Sequence, residues 1–278
     1  MSAVAATGEV ARRIGARWSL LPALGVVGLV LAWAVVPGLF THDDPLAVVP
    51  GHRFLPPSGE HWFGTDQLGR DLYARVVHGA RASLTGSAVA VGVGSILGSL
   101  LGSISGWFGG LTDSLVMRAI DVVLSIPGFL LAITIVVILG FGVVQAAIAV
   151  GLTMTATFAR LIRSEVLRSR SSAYVEAAIT SGASSFAVLR RHVIPNSLAP
   201  TLAVLTVQFG IAIIWIASLI FLGLGAQPPA PEWGRLVADG RTYLATRGWL
   251  TLWPGLTVVA VVLATNHLSH HLTRRSTS

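Results

Sequence analysis

The stretch Leu84–Gly106, LTGSAVAVGVGSILGSLLGSISG, contains no charged residue. At about 1.5 Å of rise per residue, a helix of this length covers about 34 Å and can cross a hydrocarbon core of about 30 Å. Small residues recur along it at every fourth position, at Gly86, Ala90, Gly94, Gly98, Gly102 and Gly106. Such spacing lets helices approach closely in lipid, so we predict a central spanning helix. Because four residues advance about 400°, this small-residue stripe should drift onto more than one neighbour.

The composition of the whole chain agrees with a membrane location. Of its 278 residues 53% are apolar and 11% charged, and the mean hydropathy is +0.75. A soluble domain carries about 25% charged residues, so the chain is predicted to be an all-α integral membrane protein. Counting apolar runs of about 20 residues predicts six transmembrane helices. They are Leu20–Phe40, Leu84–Gly106, two helices within 122–159 separated at Gly140-Phe141-Gly142, Leu198–Ile220 and Trp249–His267.

The arginines predict the orientation of these helices. With both termini in the cytoplasm, the inner segments hold twelve arginines and the outer segments seven, as the positive-inside rule requires. This N-in/C-in arrangement divides the chain into an inner tail (1–19), a first helix (20–40), an outer loop with an interfacial helix (41–83), a core of five helices (84–270) and a second inner tail (271–278). Arg12-Arg13 before the first run leaves a cleaved secretory signal as an alternative.

Several chemistries are excluded by missing residues. The chain has no cysteine, and all 19 of its basic residues are arginines. Without lysine it lacks the residue that a P-loop uses to bind ATP phosphates, so if ATP drives this protein, another chain binds it. No carboxylate falls in the middle of a predicted span, which disfavours a proton-coupled or ion-coupled carrier. Arg118 and Asp121 lie one turn apart and are predicted to pair with each other at a helix end.

The longest inner segment, residues 174–196, is predicted to form two short helices. Residues from Tyr174 onward favour a helix that Gly182 ends. Ser184 or Ser185 can cap a second helix, which Pro195 should stop. A compact convex knob of this kind can fit into a groove on a soluble partner.

Three stretches carry a family resemblance. Glu176-Ala177-Ala178, followed by Gly182 and then His192-Val193-Ile194-Pro195, resembles the EAA loop of bacterial ABC importer permeases. Phe63–Asp71 resembles the segment before the second span in dipeptide, oligopeptide and nickel permeases. Phe221–Pro229 with Glu232-Trp233-Gly234 resembles the segment after their fifth span. Together they are similar to the C-type permease subunit of that family, which implies a type I ABC importer permease fold in the bacterial cell membrane.

The resemblance also implies partners and residue roles. The implied partners are a homologous second permease, two cytoplasmic ATPase subunits and an extracytoplasmic substrate-binding protein, but no nucleic acid. In the coupling loop (residues 174–196), Glu176 would contact the ATPase, Ala177 and Ala178 would pack closely, and Gly182 would bend the chain. The loop would be anchored to the permease subunit or to its partner by Arg190, Arg191 and His192, which precede Pro195. The implied cargo is a dipeptide or oligopeptide, with nickel, glutathione or another small solute as alternatives, and a stand-alone channel or carrier as a competing function.

Two polar or aromatic groups on the outer side have open interpretations. Asp66, Arg70 and Asp71 could form a gate or receptor contact, or a hydrogen-bonded local fold before the second span. Trp233 and Trp249 are predicted to be interfacial aromatic anchors.

Overall fold

The computed structural model describes residues 20–182, 184–188, 191, 194–225 and 228–276. Within these residues the chain forms ten α-helices and no strand, which confirms the all-α prediction. The helices are α1 Leu20–Val35, α2 Leu72–Phe108, α3 Gly110–Ser125, α4 Gly128–Leu139, α5 Val143–Arg170, α6 Ala173–Thr180, α7 Ser185–Val188, α8 Ile194–Phe221, α9 Trp233–Gly240 and α10 Trp249–Ser276.

Four of the described helices, α2, α5, α8 and α10, are long and apolar enough to cross a membrane. Helices α3 and α4 could together form one further span, but they meet at a bend of 93°. Helix α1 has 16 residues and covers about 24 Å, which is shorter than the hydrocarbon core. The prediction of six spans, and that of N-in/C-in orientation, therefore stay predictions.

The charge-free stretch 122–159 contains two breaks, of which one was predicted. Gly140, with φ +91°, follows α4 as expected. The second break is at Pro127, where the preceding Ile126 is extended (φ −92°, ψ 132°). Proline lacks an N–H group and disfavours helical geometry in the residue before it. Pro127 is therefore a signal in the sequence for the end of a helix.

Helix α2 is longer than its apolar stretch. It begins at Leu72, where the Asp71 carboxylate accepts a hydrogen bond from the Ala74 N–H at 2.8 Å, and it continues through 37 residues. The first part of α2, residues 72–83, falls within the segment 41–83, for which an interfacial helix is predicted; its interfacial position stays a prediction. At about 55 Å, α2 extends well beyond the hydrocarbon core and joins the two ends of the bundle.

The small-residue stripe packs mainly against α5. A Cβ atom added at Gly94 would lie 2.8 Å from the Met154 Cβ, and one added at Gly106 would lie 2.9 Å from the Val166 Cγ1. At the other end of the stripe, a Cβ at Gly86 would lie 3.7 Å from Ile216 of α8. The stripe therefore contacts two neighbours, as its drift predicts.

Ion pairs join α3 to α5. The Arg163 guanidinium donates two hydrogen bonds to the Asp113 carboxylate, at 2.5 and 2.6 Å. Asp121 accepts a hydrogen bond from Arg160 at 2.6 Å, while Arg118 is exposed. The predicted Arg118–Asp121 pair is therefore wrong, because the neighbouring helix supplies a better-placed arginine.

Candidate functional site

The coupling loop has the predicted helix–glycine–helix form. Helix α6 ends at Thr180, Gly182 has φ +85°, and α7 begins at Ser185. The Ser184 hydroxyl accepts a hydrogen bond from the Ala187 N–H at 3.3 Å, which caps α7. A left-handed φ strains any residue with a Cβ, so the bend requires glycine.

The second half of the loop differs from its prediction. Helix α7 is described over Ser185–Val188, and Pro195 lies in the first turn of α8 instead of stopping a helix. Proline is well tolerated there, because the first-turn N–H groups have no partner within the helix.

The predicted partner-facing residues lie partly within the described structure. Ala177, Gly182 and Arg191 are exposed. Glu176 and Ala178 belong to α6, with their side chains outside the described structure, and Arg190 and His192 lie outside the described residues altogether. The roles assigned to these residues stay predictions.

The base of the loop is an apolar cluster that sequence reasoning missed. Val175 of α6 and Val188 of α7 are fully buried and pack with Trp107 of α2 and with Ile162 and Val166 of α5. We call these five residues the base cluster. It attaches the coupling loop to the ends of α2 and α5, the pair that the stripe holds together. A tryptophan directly after the last glycine of the stripe was the available signal.

Arg170, the last residue of α5, strengthens this attachment. Its Nη1 donates a hydrogen bond to the Trp107 carbonyl oxygen at 2.9 Å, and its guanidinium lies 5.9 Å from the centre of the Trp107 ring. A cation over an indole face is attracted by the ring electrons. Arg170 thereby ties the start of the coupling loop to the end of α2.

At the opposite end of α2, four charged residues form a buried group that we call the cap cluster: Asp66, Arg70, Asp71 and Arg75. One Asp66 oxygen accepts a hydrogen bond from the Arg70 Nε at 2.6 Å and lies 3.7 Å from the Arg75 Nε. Arg75 is only 1% exposed. Buried charges persist only when they are paired, so Asp66 is essential to both arginines.

The predicted trio Asp66, Arg70 and Asp71 is brought together by the structure and is buried throughout. Asp71 caps α2 and also accepts a hydrogen bond from the His61 Nδ1 at 2.8 Å. This arrangement favours the local-fold interpretation. The exposed side chains nearby, such as Glu60 and Trp62, are the ones that another protein could touch.

A second buried polar group joins α2 to the start of α9, and we call it the clasp: Ser83, Glu232 and Trp233. The Glu232 carboxylate accepts hydrogen bonds from the Ser83 hydroxyl at 2.7 Å and from the Arg235 N–H at 2.9 Å. The pKa of the Glu232 carboxyl is raised, because the effect of burial is larger than the opposing effect of the hydrogen bonds from Ser83 and from backbone N–H groups.

The indole of Trp233 is fully buried, so its predicted role as an interfacial anchor is wrong. Its Nε1 donates to the Val76 carbonyl oxygen at 2.9 Å, and its backbone N–H donates to the Ser83 hydroxyl at 3.2 Å. Trp249 is half-buried, and the centre of its ring lies 5.7 Å from the Arg247 guanidinium. Its interfacial position stays a prediction.

The described structure is thus a bundle of long apolar helices with the coupling loop packed at the end of the α2–α5 pair. Residues 98–278 match the family described as binding-protein-dependent transport system inner membrane component. The chain belongs to this family, the permease subunits of ABC importers, and is a multi-pass protein of the bacterial membrane.

Named relatives extend the similarity over most of the chain. The dipeptide transport system permease protein of Alkalihalophilus pseudofirmus is 40% identical over 254 residues, covering 90% of this chain and 84% of the relative. The probable D,D-dipeptide transport system permease protein of Escherichia coli is 38% identical, covering 91% of this chain and 84% of the relative. The glutathione transport system permease protein of Escherichia coli is 42% identical, covering 78% and 71%.

A solved structure supports the fold alone. The crystal structure of an amino acid ABC transporter with histidines aligns at a TM-score of 0.57 and 16% identity, covering 73% of this chain and 94% of the other. The structural alignment confirms the ABC importer permease fold. At this low identity it shows nothing beyond the fold.

Proposed function

We propose that this chain is the C-type permease subunit of an ATP-driven importer of dipeptides or oligopeptides. It forms the translocation pathway with a second, homologous permease. Cargo arrives from an extracytoplasmic binding protein, and the coupling loop docks on two ATPase subunits in the cytoplasm. The named relatives support the cargo class, because dipeptides, D,D-dipeptides and glutathione are all short peptides or close analogues of them.

The observation that carries this proposal is the attachment of the coupling loop. Its exposed tip at Gly182 is available to a partner, while Val175 and Val188 are buried against α2 and α5. A force on the tip would therefore act on two long membrane helices. This is the geometry expected of a part that transmits motion.

ATP and Mg are proposed to bind the partner subunits, with no cofactor held by this chain. The absence of lysine supports this division of labour, since phosphate binding by a P-loop requires one. The cap cluster is proposed to shape the outer end of α2, and the exposed Glu60 and Trp62 are proposed to contact the binding protein.

Replacing Gly182 by valine tests the coupling role. A β-branched residue at φ +85° is strained by about 1–3 kcal/mol, and a Cβ there meets no other atom within 4 Å. The complete importer reconstituted in vesicles should then hydrolyse ATP while importing little peptide.

Gly140→Val is the matched control. Gly140 has φ +91° and, like Gly182, no atom within 4 Å of an added Cβ, but it lies in the turn between α4 and α5. It should show a similar loss of stability with the ratio of transport to hydrolysis unchanged. Normal peptide import by the Gly182→Val importer would contradict the coupling role.

A further inference from the structure

The clasp joins two parts of the chain that are distant in sequence. Ser83 and Glu232 are 149 residues apart, and they are only 2% and 3% exposed. The Ser83 hydroxyl donates to Glu232 and accepts from the Trp233 N–H, so one oxygen of α2 makes two hydrogen bonds to the start of α9. A buried polar group that loses such a partner has no water to replace it.

Close packing reinforces these hydrogen bonds. The Trp233 ring lies against Gly79 of α2, where an added Cβ would be 3.3 Å from the Trp233 Cδ1. On the other side of α9, a Cβ at Gly234 would lie 2.5 Å from the Ala217 carbonyl oxygen of α8. The start of α9 thus packs closely against α2 on one side and against α8 on the other.

The same α2 helix carries the coupling loop at its other end. From Ser83 it runs without a break along the small-residue stripe to Trp107, where Val175 and Val188 of the coupling loop are packed. Tightly packed helices move as units, because close-packed interiors are not continuously deformable. Everything fixed to α2 should move with it.

We propose that the clasp makes Glu232 a positioning residue that fixes α9 to α2, so that movement of the coupling loop carries α9, at the opposite end of the bundle, along with it. This inference rests on the proposed function of the coupling loop. Glu232 contacts neither cargo nor nucleotide in this role. It determines whether α9 moves when the coupling loop moves.

The first test measures the ATP hydrolysed per peptide imported by the complete importer in vesicles. In Glu232→Gln the side chain keeps its size, but an NH₂ group replaces one of its two acceptor oxygens. Facing the Arg235 N–H, this group meets a donor; facing Ser83, it forces the hydroxyl to accept, and the present hydrogen bond from Ser83 to the carboxylate is lost. The ratio should rise by about two- to thirtyfold. Asp43→Asn, the equivalent exchange of a carboxylate for an amide at an exposed position at the same end of α2, should leave the ratio unchanged.

The second test follows the junction directly. The chain contains no cysteine, so spin labels can be attached at Thr85→Cys on α2 and Thr242→Cys just after α9, both exposed positions. In the otherwise unaltered importer the distance between the labels should be the same with and without bound ATP. With Glu232→Gln added, the distance should differ between the two states or become broadly distributed.

Each result separates this inference from the proposed function. An unaltered complex that imports no peptide contradicts the proposed function. An unaltered complex that imports peptide, with an equal ATP-to-peptide ratio in Glu232→Gln, overturns the role of the clasp, as does a label distance that changes in the unaltered complex. If Glu232→Gln does not assemble, Ser83→Ala replaces it and should raise the ratio in the same direction, and an unchanged ratio overturns the inference equally.

Discussion

The two ends of α2 are held by different forces. At the cap cluster, Asp66 and Arg75 are almost fully buried, and the contacts are directional hydrogen bonds and ion pairs. At the base cluster, Trp107 and Val188 are held mainly by apolar packing. The charged pair Asp121–Arg160, outside this cluster, is largely exposed.

This difference bears on how each end responds to the loss of one charged group. Contacts between buried charges depend on every member, because an unpaired buried charge is costly. Apolar contact is non-directional and depends on the total buried area. The end that would meet the ATPases should thus be less sensitive to the loss of a single charge than the cap end.

The largest effect is expected from Asp66→Ala. It would leave Arg70 and Arg75 buried without their carboxylate, so the free energy of unfolding should fall by about 3–5 kcal/mol. Thermal unfolding of the purified importer measures the change. Asp43→Ala, an exposed carboxylate in the same loop, should stay within about 0.5 kcal/mol; equal effects of the two variants would show that the cap cluster is not held by its charges.

An intermediate effect is expected from Gly98→Ala, midway between the two ends. The added Cβ would lie 2.7 Å from the Thr155 carbonyl oxygen of α5, and such overpacking costs about 1–3 kcal/mol. Gly92→Ala on the same helix meets no atom within 4 Å and should be neutral or stabilising by up to about 1 kcal/mol. If both variants unfold at the same temperature, the stripe is not the contact that joins α2 to α5.

The smallest effect is expected from Asp121→Ala at the coupling-loop end. The side chains of Arg160 and Asp121 are 56% and 61% exposed, and such exposed pairs contribute about 0–1 kcal/mol. The same thermal unfolding experiment applies. A loss as large as that of Asp66→Ala would remove the contrast between the two ends.

Local features were predictable because their causes lie within a few residues of each other. The turn at Gly140 and the bend at Gly182 follow from glycine beside helical stretches, and Pro127 carried an equally local signal that was not used. The stripe was found from its spacing alone, and its two neighbours were expected from its drift. The roles of Arg190 and His192, outside the described residues, stay predictions.

The amino-acid sequence by itself determined that this is a helical membrane protein with a knob at residues 174–196, because run length, charge and glycine spacing act locally. Only the tertiary structure decided that Asp121 pairs with Arg160, that Trp233 is buried and that Ser83 meets Glu232. Partners so far apart in the chain are selected by the packing of all the helices together. No short stretch of sequence contains that information.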